Sequence, residues 1–453
     1  MERNATMDVE GTYYLKKGQP SSDTQYDETY VDKRVEDMLL RIQKGGESEI
    51  KRLAFELDNY DGDIVMTPEI VEEIISTAVP QKEKDAIKFS HQRIKAFAEA
   101  QRDGLKDTDM EISPGYRVGS RYIPVSCAGC YVPGGRYAHI ASALMGPTTA
   151  RGAGVPHVVA ATPPRVDFAL KNGVVIKIPH PSVLYALRLA GVDKILCIGG
   201  VQAIAAMSYG LYSGERSIRC DVICGPGNRF VTAAKKYLFS KGVGIDLIAG
   251  PTETAIIADD SVSAETVAID LVSQLEHGPD SAAALITTSE SLGEEVLKRV
   301  PEISRSLLPE PNQSAALLAW KNFGEIIICS SKEAMVQASD YIASEHLQVM
   351  CQDLAYYKKS LKNYGSLFLG ENVCVTLGDK SSGPNHVLPT KKASRYTGGL
   401  YVGTFLKCLS WQTATKDGAK KVAFAAAVIS RAEGMEGHAL SSDLRNRLHI
   451  GKL

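Results

Sequence analysis

The sequence predicts an α/β protein: two α/β domains with parallel sheets, flanked by helical N- and C-terminal arms. Three observations predict it. From about residue 120 to 260, short apolar runs alternate with helical stretches. Their spacing of roughly 25 to 40 residues is that of βαβ units. A second series of such runs follows, as far as Leu369. The segment before both, residues 31–102, reads as helical. There Val35, Met38, Leu39 and Ile42 recur at three- and four-residue steps, as one face of a helix requires.

In chain order, residues 1–30 are polar, with scattered Gly, Pro, Ser and Asp, and read as an arm. Thr67-Pro68-Glu69 is a helix start, a hydroxyl cap followed by proline. The helix after it has an amphipathic rhythm in Ile87, Ile94, Phe97 and Ala98. The first strand series comprises 158–161, 194–198 and 221–224, with helices over 181–190 and 230–239. The second comprises 255–258, 284–287, 326–328 and 366–369. From Thr404 to the end the pattern reads as mainly helical and carries Glu433 and His438. A terminal segment that holds site residues suits packing across a neighbouring subunit.

Composition bounds the function. The chain has 453 residues, 44% of them apolar, with a formal net charge of -2. Charges of both signs are interspersed without a basic stripe, which argues against nucleic acid as a partner. The 9 cysteines are irregularly spaced, unlike a secreted disulfide framework, and fit a reducing compartment. The polar start lacks a signal peptide's apolar stretch. No run of about 18 apolar residues exists to cross a membrane. A soluble cytoplasmic protein is the resulting expectation.

Side chains that suit a metal lie far apart. Gln274 and His277 are three residues apart at the end of a helical stretch over 265–277, where i and i+3 share a face. Gly278-Pro279 then stops that helix. Asp379 sits in Leu377-Gly378-Asp379-Lys380-Ser381-Ser382-Gly383, which reads as a flexible loop, and His438 follows Gly437. One amide oxygen, two imidazoles and one carboxylate suit zinc, with manganese or cobalt possible. Taken singly, these residues read as a surface pair and a turn aspartate. Glu345-His346 falls at a helix-to-strand junction. An imidazole there can accept an alcohol proton, and a carboxylate can activate water. The plain reading of the dipeptide is a helix-end charge pair.

Gly225-Pro226-Gly227-Asn228 joins an apolar run to a helix, a geometry in which backbone N–H groups can face a phosphate. Tyr131-Val132-Pro133-Gly134-Gly135 and Gly199-Gly200-Val201-Gln202 are similar turns. No GxGxxG opens a helix after these strands. Cys127-Ala128-Gly129-Cys130 is a lone CxxC without a matching second pair and reads as packing. Three functions remain open on these residues: a metal-assisted alcohol dehydrogenase, a metal-dependent hydrolase using the same Glu-His pair, and a non-catalytic metabolite binder.

With these pieces assembled, the chain resembles the histidinol dehydrogenase family over roughly residues 31–440. The resemblance is carried by segments 131–135, 225–228, 274–280, 345–347, 385–390 and 433–438 in the family's order. It implies two incomplete Rossmann-like domains, which accounts for the missing fingerprint. The division expected with it is an arm at 1–30, a discontinuous first domain of 31–135 and 253–390, a second domain of 136–252, and a dimerisation tail of 391–453. The resemblance further implies zinc on Gln274, His277, Asp379 and His438, the last donated by the second subunit of a homodimer. It implies NAD contacts at Tyr131, Gln202 and Asn228. It implies a substrate pocket lined by Thr252, His386 and Glu433 beside the zinc residues and His346. His346 would take the alcohol proton, and Glu345 would activate water for the aldehyde.

Three places depart from the biosynthetic histidinol dehydrogenases: Thr252, the run Arg395-Tyr396-Thr397-Gly398-Gly399-Leu400, and Gly434-Met435-Glu436-Gly437. All three look closer to the sulfopropanediol dehydrogenases, which implies a small anionic diol as substrate. Lys391, Lys392 and Arg395 would then read the sulfonate, though each singly reads as part of a solvated basic loop. L-Histidinol is the alternative substrate.

Overall fold

The computed structural model describes residues 9–19, 28–135, 137–212, 218–248 and 250–447. Much of the expected arm at 1–30 lies outside them. The chain divides into two compact units, Met1–Glu99 with Ser126–Phe405, and Ala100–Val125 with Leu406–Leu453.

Strand β1 (Thr12–Lys16) is followed by helix α1 (Glu28–Asp58), which buries Val31, Val35, Met38, Leu39 and Ile42. This is the stripe expected from their spacing. Gly46 takes a non-helical conformation at φ 63° and kinks α1, so that Ile50, Leu53 and Ala54 are also buried. After β2 (Val65–Met66), α2 (Pro68–Ala78) starts as predicted, with Thr67 accepting from the Ile70 N–H ahead of Pro68. Helix α3 (Gln81–Gly104) buries Ile87, Ile94 and Ala98. Phe97 is exposed instead, because it lies about 100° around the helix from Ala98.

Strands β3 (Thr108–Ser113) and β4 (Tyr116–Pro124) form an antiparallel pair in the second unit. The first unit resumes with β5 (Cys127–Tyr131), α4 (Ile140–Gly152) and β6 (His157–Ala161). A hairpin of β7 (Val166–Ala169) and β8 (Val175–Ile178) precedes α5 (Pro181–Leu189), β9 (Lys194–Leu196) and α6 (Gly200–Tyr209). Then come β10 (Val222–Cys224), α7 (Arg229–Phe239) and β11 (Gly244–Ile245). The sheet order is β11-β10-β5-β6-β9-β2, parallel apart from β2.

The other large sheet uses β12 (Glu253–Ala258), α8 (Ala264–Leu275), β13 (Ala282–Thr287), α9 (Glu290–Leu307), α10 (Asn312–Phe323) and β14 (Gly324–Cys329). It continues with α11 (Lys332–Ile342), β15 (His346–Met350), α12 (Leu354–Ser360), β16 (Ser366–Leu369) and α13 (Val375–Lys380). Its order is β1-β14-β13-β12-β15-β16, with only β1 antiparallel. Alternate residues of β12 serve opposite cores. Ile256 and Ala258 pack with Leu271 and Leu285, while Ala255 and Ile257 pack with Ala338 and Val349. Burial on both faces explains why these strands read as continuous apolar runs.

Two departures have physical causes. Strands β2 and β5, expected with residues 253–390, join the 157–245 sheet instead. The β5-α4-β6 crossover puts its two strands side by side, so β5 cannot belong elsewhere. The region after Thr404, expected to be mainly helical, begins with β17 (Leu406–Ala414), paired antiparallel to β4 from Leu406↔Pro124 to Ala414↔Tyr116. Its residues are mostly exposed, so it lacks the apolar alternation that marks a half-buried strand. Helices α14 (Lys416–Ala432) and α15 (Glu436–Arg447) follow as expected. Among the described residues, no helix is long and apolar enough to cross a membrane.

Candidate active site

The β12 and β15 strands begin side by side, with Thr254 opposite His346. Ala343, left-handed at φ 55°, ends α11 and turns the chain into Glu345 and His346, at the amino edge of the sheet. Helix α8 runs back from the carboxyl edge of β12 and carries Gln274 towards that same amino edge. His277 lies two residues past the end of α8, its N–H donating to the Gln274 carbonyl at 3.3 Å. It is therefore in the turn after the helix, not within it as the sequence suggested. Open α/β sheets usually bind ligands outside the carboxyl ends of their strands. This cluster stands at the opposite end.

Asp379 is not in a flexible loop. It is 9% exposed and belongs to α13, which packs closely on β16. A Cβ on Gly378 would stand 2.5 Å from the Phe368 ring, so glycine allows that approach. Asp379 Oδ1 lies 3.1 Å from His346 Nε2, and Glu345 Oε2 lies 3.6 Å from His346 Nδ1. Glu345 Oε2 also accepts from the Glu253 N–H at 3.1 Å. Glu345 is 7% and His346 3% exposed.

Burial pushes the Glu345 carboxyl up to about 7, the range suited to a base at neutral pH. Burial pulls the His346 ring down, but the Glu345 and Asp379 carboxylates outweigh it and raise its pKa. Asp379 is held below its ordinary value: burial opposes ionisation, but His346, His386 and Lys380 favour it. Burial lowers the His277 and His386 rings. His386 Nδ1 lies 3.0 Å from the Asp379 carbonyl and Nε2 lies 2.9 Å from Ser142 Oγ. A carbonyl only accepts, so Nδ1 carries the proton and Nε2 accepts from Ser142.

The three residues proposed to hold metal from this unit are in suitable states. The Gln274 side chain is 2% exposed, and its Oε1 has no hydrogen-bond donor. His277 is kept neutral, with a ring lone pair, and Asp379 is kept ionised. The set fits zinc. Among the described residues, no three His, Cys, Asp or Glu side chains form a metal cluster by themselves. One of the donors here is an amide, and His438 belongs to the other unit. There His438 on α15 and Glu433 at the end of α14 are both exposed. Thr252 immediately precedes β12 at the edge that bears Glu345.

The cofactor candidates gather at the carboxyl edge of the other sheet. Tyr131 ends β5, is 6% exposed, and its hydroxyl accepts from the Gly200 N–H at 3.1 Å. Gln202 on α6 is 1% exposed. Its Nε2 donates to Asp58 at 3.2 Å, while its Oε1 has no donor. Asn228 caps α7, accepting from the Phe230 and Val231 N–H groups. Cys127 and Cys130 are buried and point to opposite faces of β5. They pair across the strands with Cys220 and Cys224, at sulfur separations of 3.5 and 3.6 Å. Residues i and i+3 of a strand cannot join, which bears out the packing reading of the CxxC.

Residues unmarked in the sequence also enter the site. Glu253 supplies the N–H to Glu345, and its carboxylate accepts from the Lys391 N–H. His139 precedes α4, and burial together with nearby His386, Lys380, His277 and Arg165 lowers its ring to about 4. Asp58, at the end of α1, is raised by burial. None had a local signal, since each acquires its main partners from segments remote in the chain, such as Glu253 and Glu345 at 92 residues and Asp58 and Gln202 at 144.

The histidinol dehydrogenase family model matches residues 21–446. The chain belongs to the histidinol dehydrogenase family. It is 50% identical over 433 residues to a histidinol dehydrogenase homolog of Pelagibacter ubique (strain HTCC1062), covering 95% of this chain and 97% of that one. It is 44% identical over 432 residues to the sulfopropanediol 3-dehydrogenase of Ruegeria pomeroyi (strain ATCC 700808 / DSM 15171 / DSS-3), covering 95% of each. The crystal structure of histidinol dehydrogenase from Elizabethkingia anophelis matches with a TM-score of 0.85 at 29% identity, covering 96% of this chain and 95% of that one. The family is one of NAD-dependent oxidoreductases that also use zinc, which accounts for the metal-suited and glycine-loop clusters in one chain.

Proposed function

We propose that this dehydrogenase oxidises a small polar primary alcohol to a carboxylate through an aldehyde, and that its substrate is 2,3-dihydroxypropane-1-sulfonate, giving sulfolactate. The observation that carries the reaction is the buried Glu345-His346-Asp379 cluster, which holds an imidazole and a carboxylate as two proton acceptors beside metal-suited donors. Gln274, His277 and Asp379 would hold zinc with His438 of a second copy, in a cytoplasmic homodimer that shares its sites. All nine cysteines are free, which suits that compartment.

When bound, zinc supplies Lewis acidity towards the substrate hydroxyl and NAD supplies a two-electron acceptor. His346 takes the hydroxyl proton, and Asp379 at its Nε2 orients the ring. Glu345 then takes a proton from water as that water adds to the aldehyde carbon, giving the hydrate that the second oxidation converts to the acid. Tyr131, Gln202 and Asn228 would hold the nucleotide, while Thr252 and His386 would line the pocket with Glu433 of a second copy.

Two observations support the sulfonated substrate: 44% identity with a sulfopropanediol 3-dehydrogenase, and the basic turn at 391–395. Lys391 and Lys392 are both left-handed, at φ 53° and 64°. That conformation is strained for residues with a Cβ and tends to be retained at functional sites. The Glu253 carboxylate holds the turn through the Lys391 N–H at 3.2 Å. Arg395 donates one bond to the Tyr341 carbonyl at 3.0 Å and keeps other N–H groups for an anion. Arg395→Ala should therefore raise the KM for the sulfonated diol by about tenfold, with less than a twofold change for an uncharged diol. An equal effect on both would remove Arg395 from anion recognition. The deciding experiment follows NADH formation by the purified zinc-loaded protein with dihydroxypropanesulfonate, L-histidinol and simple diols. NADH formed with histidinol alone would overturn the sulfonate reading, and none with any alcohol would overturn the reaction.

A further inference from the structure

Lys235 and Asp246 form an ion pair whose side chains are 3% and 0% exposed. A buried pair is rarely the most stable way to fill its space, because two charges lose their hydration. Its polar atoms show what the cost is spent on. The Lys235 ammonium donates to the Gly225 carbonyl at 3.0 Å. The Asp246 carboxylate accepts from the Gly225 N–H at 2.8 Å and from the Leu247 N–H at 2.7 Å. Both backbone polar groups of Gly225 are thus held by one ion pair.

Gly225 is the point where the chain leaves the sheet. Strand β10 ends at Cys224, so the ladder no longer satisfies Gly225. Its φ of 116° is rarely open to residues with a Cβ, and a Cβ there would stand 2.1 Å from the Tyr131 carbonyl. The loop therefore starts directly over the backbone of Tyr131 and reaches α7 at Asn228, three residues later. Lys235 lies on α7, and Asp246 immediately follows β11. The ion pair ties the helix, the outer strand and the loop start to one another.

We propose that Lys235 and Asp246 are positioning residues for the cofactor: their buried pair fixes the loop Gly225-Pro226-Gly227-Asn228 against Tyr131 in the geometry that receives NAD. This rests on the cofactor reading of Tyr131 and Asn228. Pairs that served only stability would lower the melting temperature without altering affinity for the nucleotide.

The test is a fluorescence titration with NADH alone, on the full-length zinc-loaded protein. The double variant Lys235→Met with Asp246→Asn removes both charges together, so neither is left buried and unpaired. It should raise the Kd for NADH by about tenfold or more, with zinc content unchanged. Leu238→Ala, which hollows the buried face of the same helix, should lower stability while leaving that Kd within about twofold. If the double variant does not fold, Asp246→Asn alone decides: its amide keeps the shape but weakens the bond to Gly225, and a Kd raised about threefold or more is expected. A variant Kd equal to that of the unaltered protein, or an equal rise in Leu238→Ala, would overturn the positioning role and leave the cofactor site standing. Failure of the unaltered protein to bind NADH would overturn the cofactor reading itself.

Discussion

Glu345→Gln is expected to halt the reaction at the aldehyde. Glutamine occupies the same space, and its side-chain oxygen can still accept the Glu253 N–H that Glu345 accepts at 3.1 Å. It cannot take a proton from water. General-base assistance is worth about 10²–10⁴-fold, and the aldehyde-to-acid half should fall by that factor. Alcohol oxidation relies on His346 and should keep its rate to within about tenfold. A single-turnover experiment would yield about one NADH per site, with aldehyde trapped by a hydrazine, in place of two. Equal loss in both halves would remove Glu345 from water activation. The pH dependence has a definite sign. Burial places the Glu345 carboxyl at about 7, and only the ionised form acts as a base. Oxidation of added aldehyde should rise about tenfold per pH unit below 7 and level off above it. The variant should lose that rise.

His277→Ala and His438→Ala should each strip the zinc. Loss of an outer-sphere partner already weakens metal binding by roughly 10–100-fold, and a lost ligand should cost more than that. Metal analysis after dialysis against a chelator measures it. The informative result comes from mixing the two inactive variants. If His438 is supplied by a second copy, half of the randomly mixed dimers carry one site with both histidines intact. About a quarter of full activity should return in a symmetric dimer. If each chain completes its own site, mixing restores nothing. Normal zinc content in His438→Ala would remove that residue from the metal.

Strands β6, β9, β10, β12, β13, β14 and β16 were legible in the sequence because they form apolar runs such as Ala255-Ile256-Ile257-Ala258 that need no partner to be recognised, whereas β1, β2, β5 and β11 of the same two sheets were not. The start of α2 at Thr67-Pro68 was legible because capping is local chemistry. Strand β17 was not, since its exposed residues carry no alternation and its register is set by β4, nearly 300 residues earlier. Asp379 was misplaced for a similar reason. The chain at Leu377-Gly378-Asp379 has the composition of a loop, and only the folded structure shows it as a helix seated on β16 with Gly378 against the Phe368 ring.

By itself the sequence determined the α/β class, the identities of the metal-suited donors and the Glu345-His346 dipeptide, because these depend on residue type and short-range pattern. The tertiary structure alone decided that His346 would lie 3.1 Å from Asp379, that Glu253 would donate to Glu345, and that Lys235 and Asp246 would close on Gly225. The first two contacts join residues 33 and 92 positions apart, while the last three residues lie within 21 positions of one another but on a helix, a strand end and a loop that only packing brings together. These contact distances, and the burial that moves Glu345 to about 7, exist only once the sheets have packed and excluded water.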